Sequence, residues 1–506
     1  MQAAPVVSAP AGSPTPVASG TDRGASRIWG VVIDIVLVTG CAAIAAAMRQ
    51  DANWDQLQYH YWYPWQLFHG GFTDPDLYGG RFQNPLPQVP FYLLVTYLSP
   101  LAAQAALGAL AGVSVVLVRR IAVRVLRFTG GWAVAVSTTV ALLAAVGAGF
   151  RSELATSYSD VLLASLLLGA LLLILRGNAL PAGLLAGAAV GLKYTSAPFA
   201  VASLVALLVV GAPRLRRTAW WVVGAAVGWL LTGGVWAWQL WRIYESPVFP
   251  FWNTVFASPW YPAANLTDER YGVSGWQQWL TWPLDMAAGQ ARVLDLPVRD
   301  VRWLLLTAAL ALIVIGARRV SRQGWAMIAF TLVGTVVWLA VFGVIRYAIP
   351  AEMLVAVIVA LAVSLFAGPR TTLVVTAVFA LAAGLWTLSA QGRRIDRTDQ
   401  WYQVSPAAFA VVAPGDAVLV DGQYPSTFTL PGQLPSGAHV HVVQKDFTGT
   451  PLREWLAADL AESGQVWVVT DKPQSQVNGV IGTIDYDNCT KIETNVVNRW
   501  LCPVTL

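Results

Sequence analysis

Eleven apolar stretches, with arginines gathered in alternate gaps between them, constrain this chain more than any other feature. They run over residues 28–48, 101–118, 132–149, 161–175, 180–192, 198–210, 218–239, 303–316, 325–342, 351–366 and 371–390. About 20 apolar residues in a helix cross roughly 30 Å of hydrocarbon. Such a series predicts a polytopic α-helical membrane protein of about eleven transmembrane helices. Composition agrees, because 12% of the residues are charged against about 25% in soluble domains.

The charges orient the series. Arg23 and Arg27, then Arg119, Arg120, Arg124 and Arg127, then Arg176, Arg214, Arg216 and Arg217, and finally Arg318, Arg319, Arg322 and Arg370 occupy every second gap. The intervening gaps hold Asp51, Asp55, Glu153, Asp160, Glu245, Asp285, Asp295 and Asp300. The excess of Lys and Arg marks the cytoplasmic side. The N-terminus is then expected inside the cell, and an odd number of spans sends the C-terminal region out. The net charge of +5 lacks the clustered basic face that nucleic-acid binding needs.

The domain plan follows. Residues 1–26, rich in Pro, Ala, Ser and Gly, cannot bury a core and are expected as a disordered cytoplasmic tail. Residues 27–390 form the membrane domain, with outer loops at 49–100 and 241–302. Residues 391–506 read as a small extracytoplasmic α/β domain. In it, 417–421, 439–443 and 466–470 have the character of buried strands, and 451–463 has helical apolar spacing. No Gly-rich phosphate loop and no zinc-type spacing appears there. Cys489 and Cys502 lie close together and are expected to form a disulfide if the region faces an oxidising compartment. Asp34, inside the first stretch, is expected to be locally paired or to snorkel.

Residues 51–90 are a polar, aromatic-rich loop between apolar neighbours. They open on Asp51 and on Asp55-Gln-Leu-Gln-Tyr-His60. In a helix, Asp55 and Tyr59 share a face. A carboxylate held at the membrane boundary can take a proton from a sugar hydroxyl, and Trp54, Trp62, Tyr63 and Trp65 offer flat faces for pyranose rings. The same residues suit a helix cap with an interfacial aromatic belt. His60 and His69 have no metal-ligand partner pattern, so hydrogen bonding is their expected part. Lys193 ends a short apolar stretch and should sit near membrane depth, where a lysine needs a partner. A lipid phosphate or a carboxylate such as Asp160 would serve. Asp160, after Ser157-Tyr158-Ser159, can orient an acceptor, help bind a divalent cation or cap its helix.

These segments together resemble the GT-C superfamily of polyprenyl-phosphate-sugar-dependent membrane glycosyltransferases. The likeness lies in the acidic first loop, Asn84-Pro85-Leu86, Gly187-x-x-x-Gly191-Leu-Lys193-Tyr194, Pro247-Val-Phe-Pro250-Phe-Trp-Asn253 and Arg346-Tyr347-Ala-Ile-Pro350. It covers roughly residues 28–390. The Asp-Glu pair common in protein mannosyltransferases is here Asp55-Gln56, so the branch is not identified.

The resemblance implies an inverting transfer from a polyprenyl-phosphate sugar to a glycan, glycolipid or protein. Asp55 would be general base, with Asp51 in reserve. Lys193, Arg346 and Arg81 would neutralise the donor phosphate. Tyr59, His60, Trp62, Asp160, Asn253 and Tyr347 would contact sugar or acceptor. A divalent cation, Mg or Mn, is a possible helper, and membrane lipids are the remaining partners. A flippase of lipid-linked saccharides and a non-catalytic glycan-binding scaffold are the alternatives. The first would carry its charges at mid-membrane and some repeat symmetry, and the second would tolerate loss of Asp55.

Overall fold

The computed structural model describes residues 20–70, 82–211, 213–266, 269–389, 392–444, 450–471, 475, 477–479 and 481–506, with side chains from residue 28 onward. Residues 1–19 of the expected tail lie outside the described residues. So does Arg81.

Six helices are long and apolar enough to cross a membrane: Ile28–Ala47, Pro100–Leu126, Arg214–Tyr244, Arg322–Val341, Ile345–Ser364 and Pro369–Trp386. Five shorter apolar helices stand among them, at Gly130–Ala145, Asp160–Leu175, Ala179–Leu192, Tyr194–Val210 and Arg302–Ile315. Each of the eleven predicted stretches thus has its helix. The Ile345–Ser364 helix is the buried centre, with Ile349 to Ala362 enclosed without interruption.

One end of the bundle collects the arginines. Asp34 pairs with Arg119 at 2.6 Å and with Arg120 at 2.9 Å, so its role is the local pairing expected. Arg124 donates to Leu175 O and Arg319 to Leu365 O, which ties four helix ends together. Asp160 starts the helix that ends at Leu175, about 24 Å away at 1.5 Å per residue. Asp160 therefore stands at the end of the bundle opposite Arg124.

Two stretches differ from expectation. The predicted 132–149 span stops at Ala145, and a separate helix, Ala148–Glu153, follows. Buried groups make that break. Glu352 accepts from Gly149 N at 2.7 Å and Phe150 N at 3.0 Å, and Asp300 accepts from Ala148 N at 3.2 Å. Both acids are held by Arg302, at 3.1 and 2.7 Å. Carboxylates at the first amides of a helix satisfy donors that have no partner within it. The second difference is a π-helical segment, Leu230–Gly234, inside the predicted 218–239 span.

Glycines set the closest helix pair. Gly183, Gly187 and Gly191 recur every fourth residue along Ala179–Leu192 and face the Gly224 and Gly228 side of Arg214–Tyr244. A Cβ at Gly187 would stand 1.9 Å from Ala225 O, and one at Gly228 2.1 Å from Leu184 O. Small residues let membrane helices approach backbone to backbone.

Beyond residue 391 the chain forms a sheet whose strand order runs His439–Val443, Ala417–Asp421, Val466–Thr470, Arg499–Thr505 and Thr483–Ile484. The first three are the predicted strands. They are parallel, and Arg499–Thr505 joins antiparallel. Helix Pro451–Glu462 buries Leu452, Leu456 and Leu460. Cys489 and Cys502 form a disulfide.

Candidate active site

The segment carrying Asp55 is fastened from two sides. Gln50 and Asp51 pair antiparallel with Ile395 and Arg394. Gln56–His60 is helical, as a π-helix. The sheet domain grips it: Ser426 N donates to Gln58 Oε1 at 2.8 Å, Thr427 Oγ1 to Leu57 O at 3.3 Å, and Phe428 packs with Leu57.

Asp55, just ahead of the π-helix, accepts from Arg346 Nη1 at 3.3 Å. Arg346 Nε, buried and without a hydrogen-bond partner, faces Asp160 Oδ2 at 3.9 Å. Asp160 takes Lys193 Nζ on both oxygens, at 2.7 and 3.0 Å. Lys193 Nζ lies 4.6 Å from the centre of the Tyr347 ring, and Arg346 stands 4.3 Å over Tyr158. Two acids, two cations and two aromatic faces thus form one continuous cluster. Asp55, Lys193 and Arg346 each keep 16–18% of the side chain exposed, enough for a ligand to reach them.

Local sequence explains this convergence. Lys193 is the residue at which the glycine-packed helix ends, so the close helix pair fixes its position. Asn84 secures the same corner by donating to Gly191 O at 2.9 Å and Thr232 O at 2.8 Å. Arg346 and Tyr347 lie in the 3₁₀ turn that leads into the central helix.

A second layer lies beneath. His60 Nδ1 is 2.8 Å from Ser157 Oγ, which also accepts from Asn53 at 3.1 Å. Asn53 and Ser157 N in turn donate to Asp51. Burial first, then the charges of Lys193 and Arg346, hold the His60 imidazole well below its usual range, so it is neutral. Burial raises Asp51 to about 6 against the opposing pull of Arg394. Burial and then the Asp160 charge push Glu153 well above the carboxylate range, and burial raises the Tyr158 hydroxyl. Glu153 Oε2 accepts from Val161 N at 2.9 Å.

Of the predicted residues, Asp55, Asp160, Lys193, Arg346 and Tyr347 come together, His60 meets the cluster at Tyr158 with ring centres 5.6 Å apart, and Tyr59 packs on His60 at 4.5 Å. Asp51 is shut away and spends its oxygens on Asn53 and Ser157. Trp62 is buried and stacked on Trp65 at 5.1 Å, which makes it a packing residue. Asn253 donates to the carbonyls of Ser258, Tyr261 and Pro262, so it builds its own loop. Sequence reasoning missed Glu153 and Tyr158 as neighbours of the cluster. Their signal was a polar run directly ahead of an apolar stretch. An Mg or Mn ion here would have to share Asp55 and Asp160 with Arg346 and Lys193.

No protein-family model matches the chain, and no curated protein matches it in sequence. Solved structures do. ArnT from Cupriavidus metallidurans in the apo state superposes with a TM-score of 0.55 at 13% identity, over 95% of this chain and 98% of ArnT. The chain has the fold of ArnT. The same protein bound to undecaprenyl phosphate gives a TM-score of 0.55 at 13% identity, over 94% of this chain and 97% of ArnT. The expected architecture, many apolar helices carrying a small C-terminal sheet domain, is thereby upheld.

Proposed function

We propose that this chain is an inverting glycosyltransferase that moves a sugar from a polyprenyl-phosphate donor to a cell-envelope acceptor on the outer side of the membrane. The observation that carries the reading is the unbroken run Asp55–Arg346–Asp160–Lys193 in a fold shared with a protein that binds undecaprenyl phosphate. The N-terminus is cytoplasmic and the C-terminal domain extracytoplasmic, a sidedness supported by the arginine-rich end of the bundle and by the Cys489–Cys502 disulfide.

In this reading the donor phosphate enters between Arg346 and Lys193 and competes with Asp55 for Arg346. The freed Asp55 carboxylate accepts the proton of the acceptor hydroxyl. The hydroxyl oxygen attacks the anomeric carbon from the face opposite the phosphate. The bond from that carbon to the phosphate oxygen breaks, and its electron pair leaves with the polyprenyl phosphate. Arg346 and Lys193 neutralise the departing charge. Asp160 keeps both cations in place before the donor arrives, and Tyr158 and Tyr347 hold them against flat rings.

Purified protein supplied with a polyprenyl-phosphate sugar tests this. Asp55→Asn and Asp55→Ala should each lower turnover by about 10²–10⁴-fold with donor binding retained. Undiminished turnover in both would remove the assignment of the base. Donor binding by the wild type without transfer to any acceptor would favour a flippase or a scaffold. Lys193→Ala should weaken donor binding, and unchanged affinity would sink its phosphate role.

A further inference from the structure

The C-terminal domain holds two of the chain's four histidines within reach of a single carboxylate. His439 and His441 alternate along the edge strand His439–Val443, so both side chains leave the same face of the sheet. Helix Pro451–Glu462, which crosses from that strand to Val466–Thr470, presents Asp459 to them. Asp459 Oδ2 lies 3.2 Å from His439 Nδ1 and 2.9 Å from His441 Nε2. One potential ligand atom from each of the three residues falls within 4.8 Å of the others, the only such triple of His, Cys, Asp or Glu among the described residues.

We propose that His439, His441 and Asp459 form a binding site for a divalent cation of the zinc class, separate from the transferase centre. Imidazole nitrogen and carboxylate oxygen are the ligand set such ions take, at about 2.0–2.1 Å each. In a tetrahedral site those bond lengths put neighbouring ligand atoms about 3.3 Å apart. Two of the three edges, at 2.9 and 3.2 Å, are close to that spacing, and the third is within 4.8 Å. The rigid member is already in place. His441 is buried, and the edge of its ring meets Trp455 at 5.4 Å. Its Nδ1 is buried without a partner, so Nε2 toward Asp459 is the ring's polar outlet. His439, with 49% of its side chain exposed, opens the site to solvent, and water would complete the coordination.

The ion's effect would be structural. It would join the edge strand to the crossover helix. Nitrogen ligands select zinc, copper or nickel over magnesium and calcium, which take oxygen.

The test uses full-length, tag-free protein in detergent, stripped with a chelator and titrated with Zn²⁺ by calorimetry. One ion per chain is expected, with magnesium failing to bind. His439→Ala, at an exposed position that leaves the fold intact, should weaken zinc at least about tenfold, as should Asp459→Asn. Loading with Co²⁺ should give the intense visible bands of tetrahedral coordination, and these should vanish in both variants. Equal zinc uptake by wild type and His439→Ala, or equal uptake of magnesium, would overturn the proposal.

Discussion

Asp51 lies shut beneath Asn53 and Ser157, while Asp55 keeps 17% of its side chain exposed beside Arg346. Four positions of sequence separate a carboxylate whose oxygens are spent on neighbours from one a substrate can reach. Burial raises Asp51 from 3.8 to about 6. The sign follows from that direction. Below the unfolded value both states hold the proton, whereas above about 6 the folded state carries a buried charge. Stability should therefore fall as pH rises from about 4 to about 6 and level off beyond, by up to about 3 kcal/mol. Asp51→Asn should flatten that slope in thermal unfolding scans in detergent, and an unchanged slope would assign it to another group. Loop acids, the lysine ending an apolar stretch and the arginine opening another were legible in the sequence, because polar residues stand out against apolar runs. The pairing of Asp160 with Lys193 was one of two partners the sequence left open. Glu153 was signalled only by the polar run it shares with Tyr158, and nothing in that run foretold that the 132–149 stretch would break ahead of it.

Among the elements, the glycine-faced helix pair and the Arg302 network do the positioning. A methyl group at Gly187 meets the Ala225 carbonyl at 1.9 Å, so Gly187→Ala must part the helices and displace Lys193. Such overpacking costs about 1–3 kcal/mol. Donor affinity should fall with the thermal midpoint, and a variant that lost stability while binding donor normally would separate the ladder from the site. Arg302 is enclosed with Asp300 and Glu352. Arg302→Ala leaves two buried carboxylates without their cation, at a cost of about 3–5 kcal/mol, read as a lowered thermal midpoint. The glycine spacing was visible in the sequence. The triad was not, because Glu352 lies in a separate segment from Asp300 and Arg302 and only folding gathers them.

Across the whole molecule, the sheet domain is joined to the membrane bundle through the segment that carries Asp55. The Cys489–Cys502 bridge closes a separation of 13 residues and contributes about 3 kcal/mol to the domain. Cys502→Ser should lower the domain's unfolding midpoint accordingly, and an unaltered midpoint would make the bridge incidental. The domain's parallel strands were readable from their apolar runs, whereas strand Arg499–Thr505, interrupted by Pro503, was not. The contact of Gln58 with Ser426 spans 368 positions along the chain. The sheet domain must therefore be made before the loop that bears Asp55 meets the surface that shapes it.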